Sequence, residues 1–420
     1  VPSETLRNGT IVDLEIGPVA HGGHCVARHE GRVVFVRHTL PGERVRARLT
    51  DASPDASFWR ADAVEVLDAS PDRVPSAWPA AGPGGVGGGE LAHVALPAQR
   101  AWKRAVLAEQ LRRLARLDLE PEVTAAPGDD ARGGLAWRTR IDLHVDAEGR
   151  AGMRAYRSHD VVPLADMPLA TEHIAALGLF DRRWPAGSRI EAVAPADGSS
   201  ALVLLDGAPF DLHSNRRDPR PNARAAVREH VELAGRAYDY RVAAAGFWQV
   251  HREAPALLAS RVLEAVGDVA GATVLDLYSG AGLFSSPLAD AVGADGRLVA
   301  VEGDERAVRD ARRNAHDRPQ VELHAGDVLD VLRGRRGGAP AVAAADVVVL
   351  DPPRTGAGRK VVDAIAALRP RRIVYVACDP AALARDVALL GERGWSDVTV
   401  TGHDLFPMTH HLEAVAVLDR

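Results

Sequence analysis

Cysteine is nearly missing from this chain: Cys25 and Cys378 are the only two in 420 residues. Two thiols cannot build a disulfide framework, and they cannot supply the about four thiolates of an iron–sulfur cluster. Long apolar runs are absent too. None approaches the ~20 residues needed to span a bilayer, and Val1-Pro2-Ser3-Glu4 lacks the basic and apolar stretches of a secretory leader. These absences predict a cytoplasmic protein with no membrane contact. Lysine occurs only at Lys103 and Lys360, so arginine carries nearly all the positive charge. What is present is length and apolar content. At 420 residues and 46% hydrophobic, the chain exceeds the size at which one core stops growing, and two or three domains are expected.

The net charge of −6 argues against general attraction to nucleic acid, but the arginines are unevenly spread. Between Ser214 and Arg228, Arg216, Arg217, Arg220, Arg224 and Arg228 meet only one acid, Asp218. Arg112, Arg113 and Arg116 cluster on a predicted helix. Guanidinium groups suit bidentate phosphate contacts, so local RNA-binding surfaces are compatible with an acidic whole. The bland reading of the same residues is a solvated, arginine-rich surface.

Short alternating segments fill residues 1–68: Gly9–Ile16, Arg32–Val36, Arg44–Leu49 and Ala61–Leu67, separated by the turn signals Gly22-Gly23, Pro41-Gly42 and Ser53-Pro54. They predict a small five-stranded, OB-like barrel. The string Val33-Val34-Phe35-Val36 followed by Leu40-Pro41-Gly42-Glu43-Arg44-Val45 resembles TRAM, an RNA-binding barrel. Residues 69–240 form a central α+β region. It holds a Pro/Gly-rich loop through Gly89, a helical pattern over 97–119, and strand-like pieces at Arg140–Val145 and Ala201–Leu205.

From residue 241 to 420 apolar strands alternate with helical spacers, which predicts a parallel, Rossmann-like sheet with right-handed crossovers. The last two strands lack a helix between them and are expected to pair antiparallel. Seven strands with that ending match the class I methyltransferase architecture.

Ligands of such sheets bind outside the carboxyl ends of the strands. The first of these strands ends in Asp276-Leu277-Tyr278-Ser279-Gly280-Ala281-Gly282, where Gly280 and Gly282 permit close backbone approach. Glu302 ends the second strand, placed for ribose hydroxyls, and Asp327 ends the third, placed for an adenine amino group. A dinucleotide would want a third glycine near Ser285, so S-adenosylmethionine is favoured over NAD. Asp351-Pro352-Pro353-Arg354 and Ala377-Cys378-Asp379-Pro380 close two later strands, and Glu413 opens the last. A thiol beside a carboxylate suits one reaction well. A thiolate adds to C6 of uracil, making C5 nucleophilic toward a methyl donor, and a base then removes the C5 proton so that the thiolate leaves. Such a thiol is expected to have a lowered pKa, with Arg354, Arg385 or the start of the helix at Pro380 as the cause.

Phe247-Trp248-Gln249-Val250, Asp276–Phe284, Asp351–Arg354, Tyr375–Pro380 with Leu383–Asp386, and Phe406–Glu413 together resemble the RNA uracil-C5 methyltransferases. The resemblance spans the C-terminal half, and the TRAM-like barrel extends it to the N-terminus. It implies that Cys378 is the nucleophile and Glu413 the proton acceptor. It further implies that Gln249, Tyr278, Glu302, Asp327 and Asp351 line the S-adenosylmethionine pocket, and that Arg354 orders the active-site loop or the target base. Monomeric action on RNA is expected. Ribosomal RNA, specifically 23S, is preferred over tRNA because the barrel resembles that of the rRNA-acting members.

Three departures stand out. Leu283 and His251 each replace an asparagine common in relatives. The cysteines that hold an iron–sulfur cluster in some members are missing from Ala77–His93, and Met167 stands where a further ligand would be. No cluster is expected, and the glycine loop is expected to be loose without it. Cys25 reads as barrel packing and His93 as a satisfied loop residue. His410-His411 lack a second ligand pair, so no metal is expected. Three other classes remain open: an amino-group methyltransferase, disfavoured by Arg354; a nicotinamide dehydrogenase; and a non-catalytic RNA-binding protein with a vestigial pocket.

Overall fold

Strict in–out alternation closes the N-terminal barrel. In β1 (Ile11–Ala20), Val12, Leu14 and Ile16 are buried while the residues between them face solvent. With β2 (His24–His29), β3 (Arg32–Arg37), β4 (Arg44–Asp51) and β5 (Phe58–Asp68) it forms a closed barrel of order β1-β2-β3-β5-β4. β2 escaped the sequence reading because its polar ends hide a buried centre. Cys25 is wholly buried there, its Sγ donating to the Thr39 carbonyl at 3.6 Å, and burial pushes this thiol up to about 12. The computed structural model describes residues 7–220, 222–334 and 342–420. Val1–Glu4, the stretch that lacks the features of a leader, lie outside the described residues. Among those described, no helix is long and apolar enough to cross a membrane.

The helix expected over 97–119 is shorter. α1 (Leu96–Gln110) widens into a π-helical turn at Leu111–Ala115 and stops where Arg116 turns left-handed, with φ at 60°. β6 (Val123–Ala125) follows. The central region then builds an antiparallel sheet from β7 (Arg140–Val145), β8 (Ala151–Arg154), β9 (Val161–Pro163), β10 (Arg189–Val193), β11 (Leu202–Leu205), β12 (Ala208–Asp211) and β13 (Arg216–Arg217), with the short α2 (Glu172–Ala175) between β9 and β10. A separate hairpin, β14 (Ala226–Leu233) and β15 (Arg236–Ala243), leads into α3 (Ala254–Val266).

The C-terminal sheet alternates β16 (Thr273–Leu277), α4 (Ser285–Val292), β17 (Arg297–Glu302), α5 (Glu305–Asn314), β18 (Val321–Ala325), α6 (Val328–Arg333), β19 (Val347–Leu350), α7 (Gly358–Ala367), β20 (Arg372–Ala377) and α8 (Pro380–Gly391), then ends in β21 (Asp397–Asp404) and β22 (Glu413–Asp419). Its order is β18-β17-β16-β19-β20-β22-β21-β6. The sheet therefore has eight strands where seven were expected. The extra one is β6, which pairs parallel to β21 with Gly402 opposite Val123. Three residues with no helical period gave no hint of that pairing. Fully buried runs such as Val347–Leu350 fill the sheet. Leu258 and Val262 of α3 pack on one face, and Leu107, Leu111, Ile365 and Leu383 on the other.

The glycine loop is packed, not loose as expected. Trp78, Val86 and Met167 sit in the core of the central sheet with Trp137. The Leu91 N–H donates to the Met408 carbonyl at 2.9 Å. Gln99 Nε2 donates to the carbonyls of Leu91 (3.2 Å) and Val94 (2.8 Å), while its Oε1 accepts from the Met408 N–H at 2.8 Å. Beneath them the buried Lys103 ammonium contacts Asp404 at 2.5 Å and the Phe406 carbonyl at 3.0 Å. His93 is buried but not fully satisfied, since its Nε2 has no partner.

The arginines singled out for RNA are largely paired within the protein. Arg217 meets Asp206 at 2.5 Å, Arg220 meets Asp218 at 2.6 Å, and Arg224 donates to the Ser200 carbonyl at 2.5 Å. Arg112 meets Asp118 at 3.0 Å and Arg113 meets Glu109 at 3.2 Å. Exposed pairs of this kind are worth ~0–1 kcal/mol, so a phosphate can displace the carboxylate at little cost.

The Lys103–Asp404 pair generates a stability prediction. Lys103→Met leaves a buried carboxylate alone, and urea unfolding should show a loss of about 3–5 kcal/mol. Lys103→Met with Asp404→Leu, which removes both charges, should recover most of it.

Candidate active site

β22 lies antiparallel beside β20 with Ala414 opposite Ala377. The residue after Ala377 is Cys378, and the one before Ala414 is Glu413, so the strand register brings thiol and carboxyl to the same edge. β19 runs parallel to β20 with Leu350 opposite Tyr375, which delivers Asp351 to that edge as well. Cys378 is half-buried and Glu413 is 3% exposed. Arg354, exposed on the turn after Asp351, acts electrostatically on both.

The electrostatics differ from expectation at the thiol. Burial pushes Cys378 up to about 11, the negative charges of Glu413 and Asp351 push the same way, and Arg354 opposes them. Arg354 does act as foreseen, but it does not overcome desolvation. Arg385 is occupied elsewhere, donating to the Thr355 carbonyl at 2.6 Å and to Asp386 at 3.1 Å. The start of α8 is already capped by the Asp379 carboxylate, which accepts from the Ala382 N–H at 2.8 Å. Burial also drives Glu413 well above the ordinary carboxyl range, with Asp351 adding to the effect and Arg354 countering it. Asp351 is pushed up to about 7 by burial and by the charge of Asp276. Asp276 itself reaches about 7 through burial, although the Ser285 hydroxyl donates to it at 2.5 Å. Asp351 thus interacts with both of the buried carboxyls Asp276 and Glu413, so that simultaneous ionisation of the three is unfavourable.

The glycine turn sits at the same edge of β16. Tyr278, Gly280 and Gly282 have φ of 62°, 56° and 92°. A methyl group at Gly280 would touch nothing within 4 Å, so glycine is favoured there by backbone conformation rather than by space. Glu302 fastens the turn: one carboxylate oxygen accepts the Gly280 N–H at 2.8 Å and the other the Asp304 N–H at 2.6 Å. Each oxygen keeps a further lone pair for a ligand hydroxyl. Asp327 caps α6, accepting from the Asp330 N–H at 3.2 Å. The half-buried Tyr278 phenol is pushed up to about 12 by burial and by Asp327 and Asp386. Carboxylate acceptors and a phenol thus stand beside the glycine turn, polar groups of the kind that can hydrogen-bond an adenosine.

Gln249 stands apart from this set. It lines a cavity of about 330 Å³ with Glu229, Trp248 and Glu253 that includes none of Tyr278, Gly280, Glu302, Asp327 or Asp351. Its link to the glycine turn runs through its neighbour. Trp248 packs on Tyr240 at 5.2 Å, and the Tyr240 hydroxyl donates to the Leu283 carbonyl at 2.9 Å. Leu283 points into the core of the sheet, and His251 stacks on Trp137 while contacting Asp129 at 3.0 Å. Both departures from asparagine therefore serve packing. His410 and His411 lie ring to ring at 4.1 Å, and among the described residues no group of three or more His, Cys, Asp or Glu side chains could hold a metal ion.

Asp386, within the motif Leu383–Asp386, has a structural role that its place in the sequence does not reveal. Wholly buried, its Oδ2 accepts from the Tyr375 hydroxyl (2.8 Å) and from the N–H groups of Ala357 (2.7 Å) and Gly358 (3.1 Å). It thereby ties α8 to the loop carrying Arg354. An acid in the buried stripe of an apolar helix was the available signal.

A model of the TRAM domain matches residues 6–64, and a model of the tRNA (Uracil-5-)-methyltransferase family matches residues 339–420. An "Uncharacterized RNA methyltransferase" of Streptomyces avermitilis is 44% identical over 98% of this chain and 98% of its own length. The 23S rRNA (uracil(1939)-C(5))-methyltransferase RlmD of Alkalilimnicola ehrlichii is 32% identical over 97% of this chain and 96% of its own. Among solved structures, the Pyrococcus abyssi tRNA (uracil-54, C5)-methyltransferase in complex with S-adenosyl-L-homocysteine superposes with a TM-score of 0.68. It covers 96% of this chain and 99% of its own at 21% identity, a likeness of fold: a class I methyltransferase sheet behind a TRAM barrel. With relatives matching along its whole length, this chain belongs to the S-adenosylmethionine-dependent RNA uracil-C5 methyltransferases.

Proposed function

We propose that the protein methylates C5 of a uridine in 23S ribosomal RNA through a covalent bond between Cys378 and C6. The observation that carries this reading is the β20–β22 register, which sets a thiol and a buried carboxyl side by side. The 23S target is supported by the whole-length similarity to the rRNA enzyme. A tRNA target is the second reading, favoured by the name of the family model that matches residues 339–420. A non-catalytic RNA-binding role is disfavoured by the half-buried thiol standing beside a buried carboxyl.

Residues 1–68 and 69–240 are assigned to gripping RNA and 241–420 to catalysis; β6 joins the catalytic sheet from the central region, and β15 runs across the boundary at residue 240. Tyr278, Gly280, Gly282, Glu302, Asp327 and Asp351 would hold the methyl donor, while Gln249, expected among them, lines a cavity that includes none of Tyr278, Gly280, Glu302, Asp327 or Asp351 and is linked to the glycine turn only through Trp248 and Tyr240. When bound, S-adenosylmethionine supplies an electrophilic methyl group on sulfonium sulfur. A target uridine must leave its stack to reach Cys378. The ring of Phe247, 70% exposed, offers a stacking face for a displaced base.

The half-buried Cys378 releases its proton to solvent, and its thiolate forms the S–C6 bond, placing the electron pair on the C5 enolate. After C5 gains the methyl group, Glu413 takes the C5 proton. The electrons of that C–H bond restore the C5–C6 double bond, the S–C6 bond breaks, and the thiolate departs. A carboxylate whose pKa is raised is a stronger base once ionised, which suits Glu413 to this step. Arg354 steadies the anionic charge.

Cys378→Ala should abolish methylation and should form no adduct with 5-fluorouridine RNA, whereas the native enzyme should become covalently trapped on it in the presence of cofactor. Absence of an adduct on both 23S and tRNA fragments would overturn the mechanism. Glu413→Gln should slow product release about 10²–10⁴-fold and accumulate adduct on ordinary RNA, visible as a gel shift. The thiol at about 11 sets the pH dependence. Only the thiolate reacts, so the single-turnover rate should rise close to ten-fold per pH unit from 6 to 9. A plateau below pH 8 would show that the thiol ionises more readily than its burial implies.

A further inference from the structure

The turn between β1 and β2 leaves the barrel and meets the catalytic sheet at two places. His21 Nε2 lies 3.2 Å from the Asp379 carboxylate, directly behind Cys378. Two residues on, a methyl group added at Gly23 would stand 3.1 Å from Cβ and Nδ1 of His410, in the loop that leads into Glu413. Gly23 also has a φ of +77°, so glycine is favoured there by conformation, and a Cβ would press His410 aside by a few tenths of an ångström. His410 is backed on its other side by Glu90 of the glycine loop at 3.5 Å. One barrel turn therefore touches both loops that carry the reactive pair. A hairpin end in a small barrel usually faces solvent, and closing the barrel does not require these contacts.

We propose that the His21–Gly23 turn is a positioning element of the reaction, holding the Cys378 and Glu413 loops in register and coupling the barrel's grip on RNA to their alignment. This rests on the uridine-methylation reading. C5 and C6 are adjacent ring atoms, so the thiolate and the base must be set against one pyrimidine at once, and a displacement of about 1 Å can cost ~10²-fold in rate. The charged groups facing His21 are Asp379, from the start of α8, and Glu109, from α1. Both favour the imidazolium, the hydrogen bond to Asp379 most, and His21 is raised from its ordinary value. The ion pair is therefore complete at acidic pH and weakens as pH climbs through that raised value. His21 keeps 41% of its side chain exposed, which leaves it accessible to the RNA it would help to seat.

The test compares the full-length native protein with His21→Asn and Gly23→Ala. Single-turnover methylation is followed from pH 6 to 9, S-adenosylmethionine binding by calorimetry, iodoacetamide alkylation of Cys378 by mass spectrometry, and Tm by scanning calorimetry. His21→Asn should lower kcat about five-fold at pH 6, with the native-to-variant ratio falling toward one by pH 9, while cofactor affinity, KM and Tm hold. Gly23→Ala, which displaces His410, should lower kcat by about ten-fold or more at every pH. A native-to-His21→Asn ratio that equals one, or that stays constant with pH, would overturn the proposal. If the native protein methylates no RNA, the uridine reading fails separately. The alkylation ratio then decides the turn's role: a pH-dependent difference at Cys378 supports its hold on that loop, and identical rates refute it.

Discussion

β22 enters the sheet antiparallel to β20, and its first residue arrives where β20 ends. Because side chains alternate faces along a strand, a slip of one residue would turn Glu413 away from Cys378 and swap Val415, packed on one face of the sheet, with Ala414, Ala416 and Leu418, packed on the other. The pairing is secured on both flanks. β21 runs alongside β22 with His403 opposite Glu413, and β6 closes the edge beyond. The position of the thiol–carboxyl pair is therefore a consequence of sheet register, and the register is held by the packing of Val415 on one face and of Ala414, Ala416 and Leu418 on the other.

The loop feeding β22 is held from far away in the chain. Lys103 and Gln99 of α1 reach Asp404, Phe406 and Met408, and Leu91 of the glycine loop binds the same backbone. Apolar packing around Trp78 and Met167 completes the support. A chain with too few thiols for a cluster thus joins the glycine loop to the catalytic sheet with a buried ion pair, a bifunctional amide and a tryptophan-rich core.

Burial has an electrostatic consequence at the sheet edge. Asp276, Asp351, Glu413 and Cys378 are all displaced toward their neutral forms, with desolvation the leading cause at each. The resting site holds protons where the proposed chemistry needs a thiolate and a base. Arg354 is the cation that offsets this, and its exposed position leaves it free to meet an incoming RNA as well.

The sequence by itself determined the strand–helix alternation after Tyr240, the barrel's alternating strands, the glycine turn and the short stretches containing Cys378, Asp351 and Glu413. Each is written in local periodicity or in adjacent residues, so no distant contact was needed to read it. The pairing of β6 with β21, the early end of α1, the raised pKa of Cys378 and the contact of His21 with Asp379 were decided only by tertiary structure. They depend on partners separated by tens to hundreds of residues and on how completely water is excluded. Arginines that looked free in the sequence met carboxylates brought in from elsewhere, as Arg217 meets Asp206. Neither solvent exclusion nor long-range pairing has a signature in the spacing of residues along a single chain, because both arise when separate surfaces pack together.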